Sequence, residues 1–425
     1  MKKMIERSVK VLCLVVIAGL LFPFAGFAQE KAKPIKIGFS MPLTGGMGAA
    51  GKSALLAIKI CRDDWNRKGG VNGRQVELVY YDDHTKPSDI PGIYTKLITV
   101  DKVDFLLGSY GTPLQVAALP VVMENKKIML GLFAVSANKG INYKYYFNWA
   151  PLGEEYGEAW MAFSYGFFKL ASTLQPKPKT VALLGVDNES GVKAIDGAVV
   201  NAKNNGFEIV YKKSYPPGPD TADFTPTLRA IKATGADLVY IFSFPGETSN
   251  IITAAKEIGL KPKMWGGGMV GLQYAAIMKT LGPDMNGIVD YWYLTPQMQL
   301  PGIKKFLDQY TPMAIKEGVD ELGIYLPPYA YGMLDTLLKS IESTKSLDQA
   351  TVGDYIRAHG YDTIHGKGTF VPTTGEFQQG AALVVQLQNI TSNKIEEFRK
   401  PGKMVIVWPD KQKNGSLIYP FPGWK

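Results

Sequence analysis

Cysteine is almost missing from this chain of 425 residues: there are two, Cys13 and Cys61. Cys13 lies within an apolar N-terminal run, which leaves Cys61 alone in the body of the chain. No internal disulfide can then staple the fold, and packing must hold it. Cys61 itself reads as a small buried apolar residue. Histidine is nearly as scarce, with three copies, His84, His359 and His365. None stands at metal-ligand spacing from another histidine or a cysteine, so neither a zinc site nor any other metal or cofactor is expected. No serine occupies a G-x-S-x-G elbow; Leu107-Gly108-Ser109-Tyr110-Gly111 has the wrong residue two places before the serine. Acid pairs occur at Asp63-Asp64, Asp82-Asp83, Glu154-Glu155 and Glu396-Glu397. Neighbours in sequence do not share a helix face, so these read as solvated surface or strand-end turns, not as acid–base pairs. No catalytic residue is expected. The formal charge is +9, but four basic side chains (Lys2, Lys3, Arg7, Lys10) and the acid Glu6 lie in the first 28 residues. Elsewhere the basic residues are scattered, with no stripe interleaved with aromatics, which argues against nucleic acid as a partner.

Those first residues form a pattern of their own. The basic start is followed by an apolar run over 11–21 and by Gly26-Phe27-Ala28, a small-x-small cleavage site. Residues 1–28 therefore read as a secretory leader, with a mature chain beginning at Gln29 and an expected periplasmic location. The apolar run is short for a membrane span, and Pro23 interrupts it. No later stretch is long and apolar enough to cross a bilayer.

What remains tells one story twice. Residues 35–40 (IKIGFS), 76–83 (VELVYYDD), 103–109 (VDFLLGS) and 127–131 (KIMLG) are apolar strand-like runs separated by helix-length stretches, ending in 145–151 (YYFNWAP). The series then restarts with 180–186 (TVALLGV), 207–215 (FEIVYKKSY), 236–243 (ADLVYIFS) and 263–267 (KMWGG), ending in 291–296 (YWYLTP). Short apolar runs alternating with helices predict parallel α/β units. The fold class is α/β, with two doubly wound lobes and a crevice between them, the usual place for a small ligand.

The loops after these strands carry the binding signals. Gly46-Met47-Gly48-Ala49-Ala50-Gly51 matches G-x-G-x-x-G, but Pro42-Leu43-Thr44-Gly45 intervenes after the strand, and the nearest strand-end acids, Asp82 and Asp83, lie farther than the roughly 20 residues on that a dinucleotide site needs. The reading that survives is close backbone approach to a ligand and a helix start open to an anion. Gly108–Pro113 repeats this geometry, with Thr112 as expected N-cap and Pro113 in the first turn. Residues 132–136 lie beyond the next strand. All three loops fall at the carboxyl ends of parallel strands, where open α/β sheets bind ligands.

IKIGFSMPLTG, then Lys68-Gly69-Gly70-Val71-Asn72-Gly73-Arg74, then VYYDD, resemble the opening of the periplasmic binding proteins for branched-chain amino acids and amides, the type I binding proteins of ABC importers. The resemblance continues through Ala222-Asp223-Phe224, Glu257-Ile258-Gly259-Leu260, Gly366-Lys367-Gly368-Thr369-Phe370 and Val407-Trp408-Pro409. It implies a three-strand hinge with crossings near Pro151, Thr295 and Pro372. Lobe one is then 29–150 plus 296–372, and lobe two 151–295 plus 373–425. It further implies a monomer that captures a small carboxylate or amino acid by hinge closure and delivers it to ABC transporter permease subunits. By the same resemblance the ligand carboxylate is held by Thr112, the backbone N–H of Ala134 and Ser136. The family's acid for a ligand ammonium is replaced by Gly268, its two pocket tyrosines by Ala50 and Ser190, and its aromatic is retained as Phe244. Glu247 is the nearest alternative acid. Tyr110, Phe133, Trp149 and Trp265 are aromatics placed to line the pocket. Two other readings stay open: a sensor of the same fold that presents its ligand to a membrane receptor, and an exported α/β enzyme.

Overall fold

Long apolar runs in a parallel sheet are buried on both faces and show no alternation. Among the first five strands, β1 (Ile35–Met41), β3 (Phe105–Tyr110), β4 (Met129–Leu132) and β5 (Tyr146–Trp149) are of this kind, while the edge strand β2 (Val76–Asp82) is mostly half-buried. They pair in the order β2-β1-β3-β4-β5, and every pairing is parallel. The computed structural model describes residues 32–150, 159–217, 223–378 and 382–424. The leader, the acids at 154–155 and the crossing near Pro151 lie outside the described residues. Residues 34–425 form one compact unit.

The second series repeats the first. β6 (Thr180–Val186), β7 (Glu208–Tyr215), β8 (Leu238–Ser243), β9 (Met264–Met269) and β10 (Val289–Trp292) pair in the order β7-β6-β8-β9-β10, again all parallel. The run at 291–296 is a strand only to Trp292, and begins two residues earlier than the apolar pattern suggested. After β10 the chain returns to the first sheet. Helices Ile303–Glu317 and Pro327–Thr344 pack on the helix Gly48–Arg67. A small antiparallel sheet of β11 (Tyr361–Thr363), β12 (Gly366–Phe370) and β13 (Phe377–Gln378) stands beside β5, where Glu376 bridges Asn148. β14 (Leu383–Leu387) and β15 (Met404–Trp408) then extend the second sheet in antiparallel fashion beyond β10. Cys61 is buried in the helix Gly48–Arg67, and burial pushes its thiol up.

In each sheet the chain steps from the first strand to one neighbour and then back across it to the other. That reversal opens a crevice at the carboxyl ends of β1 and β3, and of β6 and β8. A buried glutamine fixes the loops there. Gln115 Nε2 donates to the carbonyls of Ser109 (2.9 Å) and Leu132 (2.8 Å), and its Oε1 accepts from Tyr146 Oη (2.6 Å). Only glycine leaves it room: a Cβ on Gly131 would stand 1.7 Å from Gln115 Oε1. The last glycine of the G-x-G-x-x-G run has a packing role as well, since a Cβ on Gly51 would meet the Pro42 carbonyl at 1.9 Å.

Candidate ligand-binding site

The two sheets turn their carboxyl edges toward one another across a cleft. Met47, Tyr110, Gly111, Phe133 and Val135 wall it from the first sheet's loops. Phe163, Ser190, Phe242, Phe244 and Tyr291 face them from the second, with Val270 and Tyr325 completing the wall. The cavity between them is about 20 Å³. A water needs on the order of 10–15 Å³, so the walls nearly touch and any larger occupant requires them to part.

Four helices begin on this cavity. Met47 is the N-cap of Gly48–Arg67, Gly111 that of Thr112–Glu124 and Phe244 that of Pro245–Glu257, while Ser190 is the second residue of Glu189–Asn204. The first-turn N–H groups of a helix lack intrahelical partners, and each macrodipole puts its positive end there. No wall residue carries a formal charge among the described residues. The result is a positive field built from backbone, without a cation and without an acid.

Thr112 is the first helical residue and not the cap; Gly111 takes the cap position, at φ +90°. The hydroxyl does other work. Thr112 Oγ1 accepts from the N–H of Val135 (2.8 Å) and, across the cleft, from Ser190 Oγ (3.4 Å). Phe133 and Ser136 sit at φ +54° and +50°, in the left-handed region that side chains avoid. That kink turns the Phe133 ring into the cleft, where it packs edge-on against Tyr325 and Tyr329, both at 5.1 Å.

Of the residues singled out from sequence, Tyr110, Phe133, Ser190 and Phe244 stand on the wall, and Thr112 is directly behind it. The others are elsewhere. The N–H of Ala134 donates to Asn148 Oδ1 (3.0 Å), and its carbonyl accepts from Asn148 Nδ2. In this conformation that N–H is engaged within the first sheet's loops. Ser136 is half-buried off the cavity. Ala50 is buried within the first turn of its helix, and Met47 takes the wall position instead. Glu247 accepts from the N–H of Phe244 (3.1 Å), a helix-start bond that keeps it off the wall. Trp265 points away from the cleft, against Phe421 and Trp424 at 5.9 and 5.3 Å. Trp149 stacks on Phe377 at 4.0 Å in the core. Gly268 has no room for an acid: a Cβ there would lie 2.7 Å from Tyr240 Oη and 2.8 Å from the Ile241 carbonyl.

Met47, Phe163, Phe242, Val270, Tyr291 and Tyr325 were not foreseen. Tyr291 lay in a run read as a crossing, and Tyr325 in a segment without periodic signal. Burial pushes the phenols of Tyr110, Tyr291 and Tyr325 upward, so all three stay neutral. Behind them Asp290 accepts from the N–H of Met269 (2.8 Å), and burial pushes its carboxyl up. A second contact spans the cleft at its edge. Asp320 accepts from the N–H of Ala275 (2.8 Å), and Glu321 pairs with Lys279. Asp320 is tied to its own side by the N–H of Gly323 (3.1 Å).

Two doubly wound sheets closing helix starts over an uncharged, aromatic cleft define a two-lobed solute-binding protein. The chain belongs to the periplasmic binding protein family, whose model matches residues 34–390. It is a binding protein and not an enzyme. One relative is a leucine-, isoleucine-, valine-, threonine-, and alanine-binding protein of Pseudomonas aeruginosa, 24% identical over 86% of this chain and 92% of the relative. Among solved structures, a leucine binding protein from Thermotoga maritima superposes with a TM-score of 0.71 at 20% identity, over 84% of this chain and 96% of the other. A solute binding protein from R. palustris in complex with 4-hydroxybenzoate gives 0.72 at 21% identity, over 92% and 99%. At these identities the structural matches speak for the fold alone.

Proposed function

We propose that the chain is exported through the leader at 1–28 to the periplasm. There, as a monomer, it captures a small carboxylate and hands it to the permease subunits of an ABC importer. The lobes of this reading are 29–150 with 296–372, and 151–295 with 373–425. The observation that carries the ligand assignment is the convergence of four helix starts on a wall with no charged side chain. Such a site favours an anion and offers an ammonium no counter-charge, whose burial unpaired is costly. The Thr112 and Ser190 hydroxyls, one from each lobe, hold the carboxylate with the first-turn N–H groups. Ala134 and Ser136 shape the loop beside them. Relatives named for amino acids and a structural neighbour holding 4-hydroxybenzoate mark the two ligand classes to separate. The wall favours the acid without an α-ammonium.

Thr112→Ala combined with Ser190→Ala should weaken carboxylate binding at least tenfold in titration calorimetry, since a hydrogen bond to a charged group is worth about 1.5–3 kcal/mol. Unchanged affinity would remove both hydroxyls from the site.

A further inference from the structure

We infer that Tyr291 and Tyr325, one from each side of the cleft, read a second, uncharged polar group on the ligand, separated from its carboxylate by a flat apolar spacer. The inference rests on the carboxylate reading above and adds the chemistry of the other end. Tyr291 is 2% exposed and lies on the cavity wall, yet its hydroxyl makes no hydrogen bond among the described residues. The hydroxyl of Tyr274, 4% exposed, is in the same state. The Tyr274 and Tyr325 rings lie 5.7 Å apart, and the Tyr325 phenol is within polar reach of those of Tyr110 and Tyr291. Four neutral phenols thus gather at one end of the cleft, and two of them, Tyr274 and Tyr291, lack a partner of good hydrogen-bond geometry among the described residues. Buried polar groups left without partners are rare because they lose water and gain nothing in return. A ligand hydroxyl or carbonyl placed among them supplies what is missing.

The spacer follows from the rings between the two ends. Phe163 stands edge-on to Tyr291 at 5.1 Å, and Phe133 edge-on to Tyr325 at the same distance. Phe242 lies 5.6 Å from Phe163. Aromatic walls of this kind accept the face or edge of another ring. Charge is excluded at this end from both directions. The phenols are neutral, and the acids close behind them, Asp290 and Asp320, are off the wall with their carboxyls pushed up by burial. The ligand class is a ring-bearing carboxylate with a distal hydroxyl or carbonyl, and a zwitterionic amino acid is disfavoured.

The test uses three probes on the purified mature protein: benzoate, 4-hydroxybenzoate and L-leucine, titrated by calorimetry. The wild type should bind 4-hydroxybenzoate at least tenfold more tightly than benzoate, and both more tightly than leucine. Tyr291→Phe combined with Tyr325→Phe keeps the ring shapes and should bring the ratio of the two aromatic acids within threefold. Equal affinity of the two acids in the wild type, a ratio that persists in the double variant, or binding of neither acid would overturn the inference. Tighter binding of leucine would also overturn it, and would point to Asp290 as an acid that reaches the cleft. Thr112→Ala separates the two readings: it should weaken both aromatic acids by the same factor. If it changes neither while the tyrosine variants abolish the ratio, the carboxylate position is wrong and the phenol assignment stands.

Discussion

Acid should destabilise this protein through one histidine. His365 is 6% exposed, stacked on Tyr329 at 4.2 Å and 5.9 Å from the Trp149 ring. Neither ring nitrogen has a hydrogen-bond partner among the described residues. Burial alone pushes its pKa down to about 3. The unfolded chain titrates near the ordinary histidine value of about 6.5, so it takes up the proton first. The stability of the neutral buried ring is therefore complete above about pH 6.5 and is lost progressively as pH falls toward 3. At pH 5 the loss is roughly 1.5 pH units at about 1.4 kcal/mol each, or about 2 kcal/mol. Three carboxyls with raised pKa values, the buried Asp83 and Asp290 and the half-buried Asp320, act in the opposite sense, because the fold binds their protons more readily. Comparison with His365→Phe cancels them. Urea unfolding at pH 7.5 and pH 5 should show the wild type losing about 2 kcal/mol more than the variant. Parallel pH profiles would refute the reasoning, and would mean that water or a displaced side chain reaches the imidazole. Because Tyr329 also touches Phe133, at 5.1 Å, the same acid titration should loosen one wall of the cleft.

Gly268→Ala should destabilise by about 1–3 kcal/mol through overpacking, and Gly268→Glu by more because the buried charge is unpaired. Thermal melts check both, and an alanine variant as stable as wild type would contradict the contact with Tyr240 and Ile241. Asp320→Ala removes the bond to Ala275 that spans the cleft. It should lower the closed population of the unliganded protein by about tenfold, as the loss of about 1.5 kcal/mol implies. Small-angle scattering should then give a larger radius of gyration, and an unchanged curve would show that the contact does not hold the lobes together.

The strands were easy to find because parallel sheets bury both faces and write uninterrupted apolar runs into the chain. The same property hid which way each residue points. In β9 nothing alternates, so Trp265 and Gly268 could not be assigned to the cleft or the core, and the structure puts both in the core. The loops at the carboxyl ends of β3, β6 and β8 follow from strand order, and Tyr110, Ser190 and Phe244 stand on the wall of the cleft there. Glu247 had a readable signal that was passed over. Pro245 at the first helical position and an acid two places later mark a helix start, where the acid serves the backbone. The role of Ala134 had none. Its N–H is taken by Asn148, which also bonds Glu376, 228 residues further along the chain. Tyr325 lies in the same category, since nothing local announces that the segment before Pro327–Thr344 returns to the cleft.

The central claim is that one small acid occupies the cleft between the two sheets, held by groups from both. Native mass spectrometry tests it most directly. The mature protein is presented in turn with leucine, phenylalanine, their des-amino counterparts, benzoate and 4-hydroxybenzoate, beside the Thr112→Ala/Ser190→Ala variant. One bound acid per wild-type chain is expected, drawn from the members without an ammonium, and little or none on the variant. Equal occupancy of wild type and variant, or retention of none of the six, would contradict it.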